Sequence, residues 1–245
     1  MREDRVKSGI PGLDEILDGG FPRNTVVLVS GGPGTGKTLF CFQFLYAGAS
    51  KFNEPSIYVS LEERPDDVRR EMQVFGWDVK KLEEDGKFVI IDASLARAGI
   101  PTRERVVTPA GFDLDALAVK IYETIEEIGA KRIAIDSIPA LGLQLKSEAE
   151  IRRAIHKFTT ILLESNCTSI LTSESIEGTG RLSRYGVEEF ITRGLILLYL
   201  TESGGQLRRS IVIRKMREAR HGMRRYPLEI TSRGLVVYPK GEYAE

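Results

Sequence analysis

The chain has few cysteines and no excess of either charge, and both shortages exclude classes of protein. Its 245 residues contain two cysteines, Cys41 and Cys167. They lack metal-ligand spacing, so we expect two buried thiols in a reducing compartment and no disulfide framework. Lys plus Arg number 35, as do Asp plus Glu, so the formal net charge is zero. This balance argues against a wholly basic protein that coats nucleic acid, although it leaves room for a local basic patch.

The sequence also lacks a long apolar run. No run reaches the roughly 18 residues that a membrane-spanning helix needs. Residues 1–6 do not have the composition of a signal peptide, and the chain contains no low-complexity linker and no internal repeat. Hydrophobic residues make up 42%, which is enough for a core. We therefore expect a soluble cytoplasmic protein with no membrane contact, folded as one domain over residues 1–245.

A glycine-rich stretch, residues 31–38, fits the phosphate-binding pattern G-x-x-x-x-G-K-[ST] in full. The β-branched apolar run 25–30 before it predicts a buried strand, and the apolar run 39–48 after it predicts a helix. A strand, a glycine-rich turn and a helix start form an anion site, because backbone N–H groups converge there on phosphate oxygens. The pattern places Lys37 on the β- and γ-phosphates and the Thr38 hydroxyl on Mg²⁺. The expected nucleotide contacts are Gly31, Gly32, Pro33, Gly34, Thr35, Gly36, Lys37, Thr38 and Leu39.

A pair of acids, Glu62 and Glu63, follows the predicted strand 56–61. Ligands of α/β sheets bind outside the carboxyl ends of the strands, so these carboxylates could orient or deprotonate the water that attacks the γ-phosphate. Alternatively, they simply lead an exposed helix over 65–75, because acids suit a helix N-terminus. The residues alone leave both interpretations open.

Another acid, Asp136, ends a short buried strand predicted over 131–137. An Asp at such a strand end fits the second Mg²⁺-associated position of phosphate-loop proteins. An ordinary strand-end Asp that starts a turn is the alternative. We favour the metal site because the phosphate loop lies upstream.

The remaining pattern predicts parallel βα units first and antiparallel strands last. A long loop is predicted over 94–108, and a helix that starts at Asp113 and stops at Gly129. A second loop is predicted over 174–185. Further helices are predicted over 13–17 and 147–166, and further strands over 87–92, 168–173, 194–200, 208–215, 228–231 and 235–238.

Taken together, these residues resemble the KaiC-like branch of the RecA/RadA ATPase superfamily over nearly the whole length. The phosphate loop alone is common to many NTPases, but the combination is specific. The resemblance implies an α/β, RecA-like P-loop NTPase fold, with a mostly parallel central sheet flanked by helices and antiparallel strands at the C-terminal end. Clock KaiC proteins carry two such domains in tandem, and this chain is long enough for one. The matching stretches are 8–14, 19–22, 31–38, 60–63, 75–77, 112–114, 133–137, 185–190 and 215–217.

The resemblance also implies roles for site residues. In this family the paired acids are catalytic, which assigns that role to Glu62 and Glu63. A Lys-x-Arg motif, here Lys215 and Arg217, reaches the neighbouring subunit's nucleotide, where a cation stabilises charge on the transferring phosphoryl group. The expected nucleotide contacts therefore also include Met216 and His221. His221 matches a family position near the adjacent nucleotide, but as a residue it fits a surface histidine equally well.

The function that this resemblance implies is a Mg²⁺-dependent ATPase acting as a nucleotide-controlled ring. We expect a homohexamer with ATP and Mg²⁺ between its subunits, slow turnover, and a signalling or regulatory function with an unidentified protein partner. A scaffold that binds nucleotide but barely hydrolyses it is one alternative. A Ser/Thr autokinase is another, although the phosphosite pair of clock KaiC is replaced here by Glu189 and Phe190, with Thr179 and Ser183 nearby.

A DNA-binding recombination or repair protein of the RecA/RadA type is the remaining alternative. Residues 208–225 favour it, because they hold eight Lys or Arg and one acid, Glu218. The neutral net charge and the absence of a separate DNA-binding stretch count against it. DNA binding is therefore an open expectation that we do not favour.

Overall fold

A large sheet with helices on both faces organises the chain. The computed structural model describes residues 5–94, 114–143, 145, 147–176 and 179–241, and within them nine strands form this sheet while two short strands pair separately. The strands are β1 (Arg5–Val6), β2 (Phe21–Pro22), β3 (Val26–Gly31), β4 (Ser56–Ser60), β5 (Phe88–Asp92), β6 (Arg132–Asp136), β7 (Thr168–Ser173), β8 (Gly194–Ser203), β9 (Gln206–Met216), β10 (Arg225–Thr231) and β11 (Gly234–Val237). The helices are α1 (Leu13–Ile16), α2 (Lys37–Lys51), α3 (Pro65–Val74), α4 (Val79–Glu84), α5 (Leu114–Ile128), α6 (Glu148–Glu164) and α7 (Glu188–Ile191), with a 3-10 helix over Ile138–Leu143.

The order of the strands in the large sheet is β11-β10-β9-β8-β3-β7-β6-β4-β5. From β8 to β5 all neighbours are parallel, whereas β8 to β11 are joined antiparallel. This arrangement confirms the predicted fold class. Because parallel strands point in one direction, the carboxyl ends of β3, β4, β6 and β7 meet at the same edge of the sheet.

The two faces of the sheet belong to separate apolar layers. In β3, Val27 and Val29 join the layer that contains α2, whereas Val26 and Leu28 join the layer that contains α5 and α6. Side chains of a strand alternate between faces, so β3 is buried on both. This explains the continuous apolar run in the sequence, which is typical of a central parallel strand.

The outer helices form because their apolar residues recur at helical spacing. In α6 the buried residues include Ile151, Ile155, Phe158 and Leu162, which lie on one face. The helix begins where predicted, since the Ser147 hydroxyl caps it by accepting the N–H of Glu150 at 3.2 Å. The start predicted for α5, Asp113, lies outside the described residues, as do residues 95–108 of the loop predicted over 94–108 and residues 177–178 of the loop predicted over 174–185.

An ion pair and a hydrogen bond hold Arg132, the first residue of β6, against α2 and the segment that follows it. The Arg132 guanidinium, 1% exposed, contacts Glu54 Oε2 through its Nη2 at 2.6 Å. It also donates to the Phe44 carbonyl at 2.8 Å and stacks on the Phe44 and Phe52 rings. Since a buried cation is stable only when it is paired and hydrogen-bonded, these contacts explain how an arginine lies in the interior.

Candidate nucleotide site

The phosphate loop, residues 31–38, joins the end of β3 to the start of α2. Gly36, with φ of 102°, precedes the helix in the left-handed region, and no side chain in the described part of the chain caps that helix end. The first amide groups of α2 are therefore available to an anion. A Cβ at Gly31 would lie 2.5 Å from the Leu198 carbonyl oxygen, so this position of the loop has room only for glycine.

The Lys37 ammonium is folded back onto its own loop. Its Nζ donates to the carbonyls of Gly31 at 2.8 Å and Gly32 at 3.0 Å. The Thr35 hydroxyl also donates to the Gly32 carbonyl, at 2.8 Å. Burial lowers the pKa of the Lys37 ammonium, against the opposing effect of the Asp136 carboxylate. Lys37 thus lies inside the loop, bound to neutral carbonyls that anionic oxygens can replace.

The Asp136 carboxylate gathers hydroxyl groups from three elements. Its Oδ2 accepts from Thr38 on α2 at 2.7 Å and from Tyr58 on β4 at 2.9 Å, and its Oδ1 accepts from Thr172 on β7. Asp136 is 8% exposed and ends β6. The structure thus brings together Thr38 and Asp136, the two residues predicted to hold Mg²⁺. Sequence reasoning missed Tyr58 and Thr172.

Hydrogen bonds with two serines, Ser60 and Ser137, hold the acids that follow β4. The Ser60 hydroxyl accepts the N–H of Glu63 at 3.1 Å and donates to its carbonyl at 2.6 Å. Glu62 accepts from the Ser137 hydroxyl. Since Ser60 and Asp136 are register partners in the β4–β6 pair, both acids lie beside the end of β6.

Glu63 has the electrostatic properties of a base. Its Oε2 is buried and has no hydrogen-bond partner among the described residues. Burial, followed by the carboxylates of Glu71 and Asp136, raises the pKa of Glu63 to about 7. A carboxyl group with this pKa changes its charge close to neutral pH, which suits proton transfer.

A cavity of about 410 Å³, which we call the phosphate cavity, opens over the start of α2. The side chain of Arg209, on β9, reaches it and donates from Nε to the Gly34 carbonyl at 2.9 Å. Arg209 and Glu71 were missed by sequence reasoning, and the basic stretch 208–225 was the only signal for Arg209. The lining residues are Gly34, Gly36, Lys37, Thr38, Leu39, Phe42, Glu63, Glu71, Phe75, Arg209 and Ile230.

Two residues, Lys215 and Arg217, were predicted to reach the nucleotide of a neighbouring subunit. Neither is among the described residues that line the phosphate cavity of its own chain. Lys215 Nζ donates to the carbonyls of Glu189 at 2.7 Å and Thr192 at 2.5 Å. Arg217, just after β9, is exposed.

Two further predicted nucleotide contacts, Met216 and His221, differ in their exposure. The Met216 side chain is 4% exposed and belongs to the core, so any nucleotide contact there falls to its main chain. His221 is half-buried, and its Nδ1 lies 3.2 Å from the Gly222 carbonyl oxygen.

A fully buried acid, Glu188, organises the segment that leads to α7. It accepts from the hydroxyls of Ser173 at 2.9 Å and Ser183 at 2.6 Å, and from the N–H of Val187 at 3.1 Å. Glu188 thereby fixes α7, where Glu189 offers its carbonyl to Lys215. The Ser183 hydroxyl is covered, which counts against its phosphorylation in this conformation.

Comparison with known proteins places this site in a family. A family model described as "ATPase: KaiC" matches residues 6–242. The chain belongs to the KaiC ATPase family. A UPF0273 protein from Methanocaldococcus jannaschii is 46% identical over 236 residues, 96% of each chain. The circadian clock oscillator protein KaiC from Synechococcus elongatus is 38% identical over 237 residues, 97% of this chain and 44% of that protein.

A solved structure agrees with the KaiC assignment. The crystal structure of a KaiC-like protein from Pyrococcus horikoshii superposes with a TM-score of 0.85 at 49% identity, and covers 97% of this chain and 100% of that one. The predicted family and fold are thereby confirmed. In the described part of this KaiC-family chain, none of the helices combines the length and apolarity that a membrane span requires.

Proposed function

We propose that this KaiC-family chain is a Mg²⁺-dependent ATPase that works as a nucleotide-controlled ring. The observation that carries the proposal is the contact between the Thr38 hydroxyl and the Asp136 carboxylate, 2.7 Å apart at the start of α2. It joins the phosphate loop to a strand-end acid from the other half of the chain. Family membership supplies the ATPase class, and hydrolysis, metal dependence and assembly are the proposed refinements.

Phosphate binding falls to the uncapped start of α2 and to Lys37. The helix start presents amide donors and partial positive charge. Lys37 exchanges the Gly31 and Gly32 carbonyls for phosphate oxygens, and bonds between ionised partners are stronger than bonds to neutral carbonyls. Arg209 adds a second cation to the same cavity.

The donor set at Thr38 and Asp136 fits Mg²⁺. A hydroxyl and a carboxylate are hard oxygen ligands, which this ion prefers, and Mg²⁺ commonly retains several waters. Thr38 would bind directly, and Asp136 through water. When bound, the ion neutralises charge that develops on the phosphate oxygens.

Activation of the attacking water falls to Glu63, with Glu62 beside it. The pKa of Glu63, raised to about 7, allows its carboxylate to accept a proton near neutral pH. The Ser60 turn holds the backbone of Glu63, and the Ser137 hydroxyl holds Glu62. Both acids can therefore orient a water molecule without first reorganising the end of β4.

Assembly would complete the site. Lys215 and Arg217 do not line the phosphate cavity of their own chain, so a catalytic contribution from them requires a neighbouring subunit. We place ATP between subunits of a homohexamer whose nucleotide state controls a signalling or regulatory partner. The exposure of Arg217 supports this placement, because its guanidinium can reach another chain.

The observed contacts of the basic stretch, residues 208–225, support DNA binding less than its composition does. Four of its eight cations contact their own chain: Arg209, Lys215, Arg224 and Arg225. The other four, Arg208, Arg214, Arg217 and Arg220, are exposed. A continuous cationic track for a phosphate backbone is therefore not the main feature of this segment.

The test is ATP turnover together with particle mass. We expect phosphate release that requires Mg²⁺ and stops with EDTA, and light-scattering mass near six subunits with Mg²⁺-ATP. Single-stranded DNA should leave that mass unchanged. Mass that grows on DNA would favour the recombinase alternative, and a monomer under every condition would contradict the shared site.

A further inference from the structure

A second cavity, of about 560 Å³, adjoins the phosphate loop without including Lys37 or Thr38. We call it the β8 cavity. Ser30, Gly32 and Thr35 line it from the loop side, and Leu197 and Leu200 line it from β8. Among the described residues it shares no lining residue with the phosphate cavity, so the two are separate spaces on either side of one loop.

The β8 cavity exists because β8 is longer than its neighbour. β3 pairs with β8 only as far as Leu198, whereas β9 continues to pair with it as far as Ser203. Beyond Leu198, β3 has already turned into the phosphate loop, and space opens beside the second half of β8. Ser30 and Leu197 are register partners, so their side chains share the face of the sheet that carries α5 and α6.

The wall of the β8 cavity combines apolar side chains with one unsatisfied polar atom. Leu182, Leu197 and Leu200 provide the apolar part. Ser30 is fully buried, and its Oγ has no hydrogen-bond partner among the described residues. Since buried hydroxyls are usually hydrogen-bonded, Ser30 indicates an interaction that a molecule in the cavity can supply.

The described lining of the β8 cavity carries one cation and one acid, with a further cation close to its wall. Arg181 lines it, is exposed, and forms no ion pair within the described part of the chain. Tyr199 also lines it, with the Arg225 guanidinium 4.3 Å from the centre of its ring. Glu202 is the acid among the lining residues. Arg225 is not among the described lining residues, but its guanidinium adds a second positive charge next to the Tyr199 ring, and this local excess over Glu202 favours an anionic ligand.

We infer that the β8 cavity binds a small amphipathic anion, such as an aromatic or medium-chain carboxylate. Its apolar body would contact Leu182, Leu197 and Leu200, its charged group Arg181, and a polar atom Ser30. The volume lies within the range of about 300–1,000 Å³ that is usual for small-molecule sites. The occupant would touch the phosphate loop at Gly32 and Thr35 from outside the phosphate cavity. This inference does not depend on ATP hydrolysis.

The probe is 8-anilino-1-naphthalenesulfonate, which joins an aromatic body to a sulfonate. It is titrated by fluorescence into the full chain in the presence of saturating Mg²⁺-ADP. We expect one saturable site that octanoate displaces. Arg181→Glu should weaken binding at least about tenfold, because it replaces an attraction by a repulsion. Arg184→Glu is the matched control, since Arg184 is exposed in the same segment but does not line the cavity, and it should change binding less than about twofold.

Methyl NMR locates the probe independently of these variants. The Leu182 and Leu197 methyl signals should shift on titration, and the Ile230 methyl in the phosphate cavity should not. Equal affinity of the two charge variants, binding of the probe only when ADP is left out, or shifts confined to other methyl groups would each overturn the inference. ADP affinity, measured in parallel with a fluorescent analogue, shows whether a failure belongs to this cavity or to the nucleotide site.

Discussion

Thr38 and Asp136, 98 positions apart in the chain, are joined by a hydrogen bond of 2.7 Å from hydroxyl to carboxylate. The same carboxylate also accepts from Tyr58 and Thr172. Asp136 is therefore both the candidate metal-associated acid and the group that ties α2, β4, β6 and β7 together. A substitution there tests the chemistry and the structure at once, and the two effects need separate readouts.

Asp136→Asn should abolish most Mg²⁺-dependent turnover. The amide keeps the shape but loses the charge and one acceptor oxygen, so one of the hydroxyl donors loses its partner. We expect ATP hydrolysis to fall by about a hundredfold or more, and the free energy of unfolding to fall by about 1–3 kcal/mol. Phosphate release and urea unfolding measure the two effects. Calorimetric titration of ADP should also lose its dependence on Mg²⁺.

Asp92→Asn is the matched control for Asp136→Asn. Asp92 ends β5 in the same register, as the partner of Ser60 on the other side of β4, and is also buried. It does not line the phosphate cavity. If both variants lost Mg²⁺-dependent turnover equally, the assignment of Asp136 to the metal would be wrong.

Glu63 should set the acidic limb of the pH profile. Its pKa, raised to about 7 by burial and then by Glu71, means that the carboxylate form grows as pH rises through 7. We expect turnover to rise through this range and then level off. Glu63→Gln should be slower by about a hundredfold or more and lack this limb. An unchanged limb in the variant would assign the titration to another group.

The stability of the nucleotide-free chain should also depend on the ionisation of Glu63. Whereas turnover should rise with pH, this contribution to stability should fall. The folded pKa of Glu63 is about 7 and the ordinary value is 4.5, so the folded state holds the proton more tightly. Its contribution to stability is complete below 4.5 and is lost as pH rises through 7. Glu63→Gln should therefore unfold at a higher temperature than the parent chain at pH 8, by about 2 °C, with little difference at pH 4.5. Glu84→Gln, an exposed acid on α4, should show no such trend.

Local patterns predicted the parts of the site that depend on local chemistry. The phosphate loop, Thr38 and Asp136 follow from residue type at fixed spacing or at a strand end, and the structure places them together. Tyr58 and Thr172 could not be found in this way, because strands buried on both faces show no alternation that separates core from site. Arg209 contacts Gly34 only because the sheet order places β9 next to β8 and β8 next to β3. Strand order is a tertiary property that periodicity does not encode.

Long elements were predicted more accurately than short ones. β7 was predicted with its observed bounds, and α6 to within two residues. The short helix α4 and the β1–β2 pair were missed, because four to six residues carry too little periodicity. Lys215 was assigned by resemblance to a neighbour's nucleotide, but within its own chain its ammonium is held by the carbonyls around α7. A motif match carried no information about that contact.

Arg132→Met should destabilise the fold without touching the candidate site. The substitution removes a guanidinium that is 1% exposed and leaves the Glu54 carboxylate, 15% exposed, with Arg23 as its one ionic partner among the described residues. Breaking a buried pair from one side costs about 3–5 kcal/mol, measured as the free energy of unfolding in urea. Arg193→Met, which breaks the exposed pair with Glu218, should cost less than about 1 kcal/mol. Similar losses of unfolding free energy in the two variants would show that burial does not determine the strength of the Arg132–Glu54 pair.

Arg217→Ala tests whether cations act between subunits. Arg217 is exposed, so its removal should leave the fold intact while lowering turnover by about a hundredfold or more. Lys37→Ala should also be inactive, because it removes the phosphate-binding ammonium. When the two variants are mixed and allowed to exchange subunits, a Lys37→Ala subunit can present its Arg217 to the intact phosphate loop of an Arg217→Ala neighbour. Turnover should then return to a sizeable fraction of the parent value.

The mixing experiment also separates action between subunits from action within one chain. If Arg217 served its own nucleotide, each subunit in the mixture would still lack one essential group, and turnover would stay at the level of the single variants. Arg214→Ala is the matched control: Arg214 is an exposed arginine on β9, three residues before Arg217, and its removal should leave turnover unchanged. The particle mass of the same mixture shows whether the variants assemble, so that a failure of assembly is not mistaken for a failure of catalysis. Recovery together with an unchanged particle mass requires that the reacting phosphate and the Arg217 guanidinium belong to different copies of the chain.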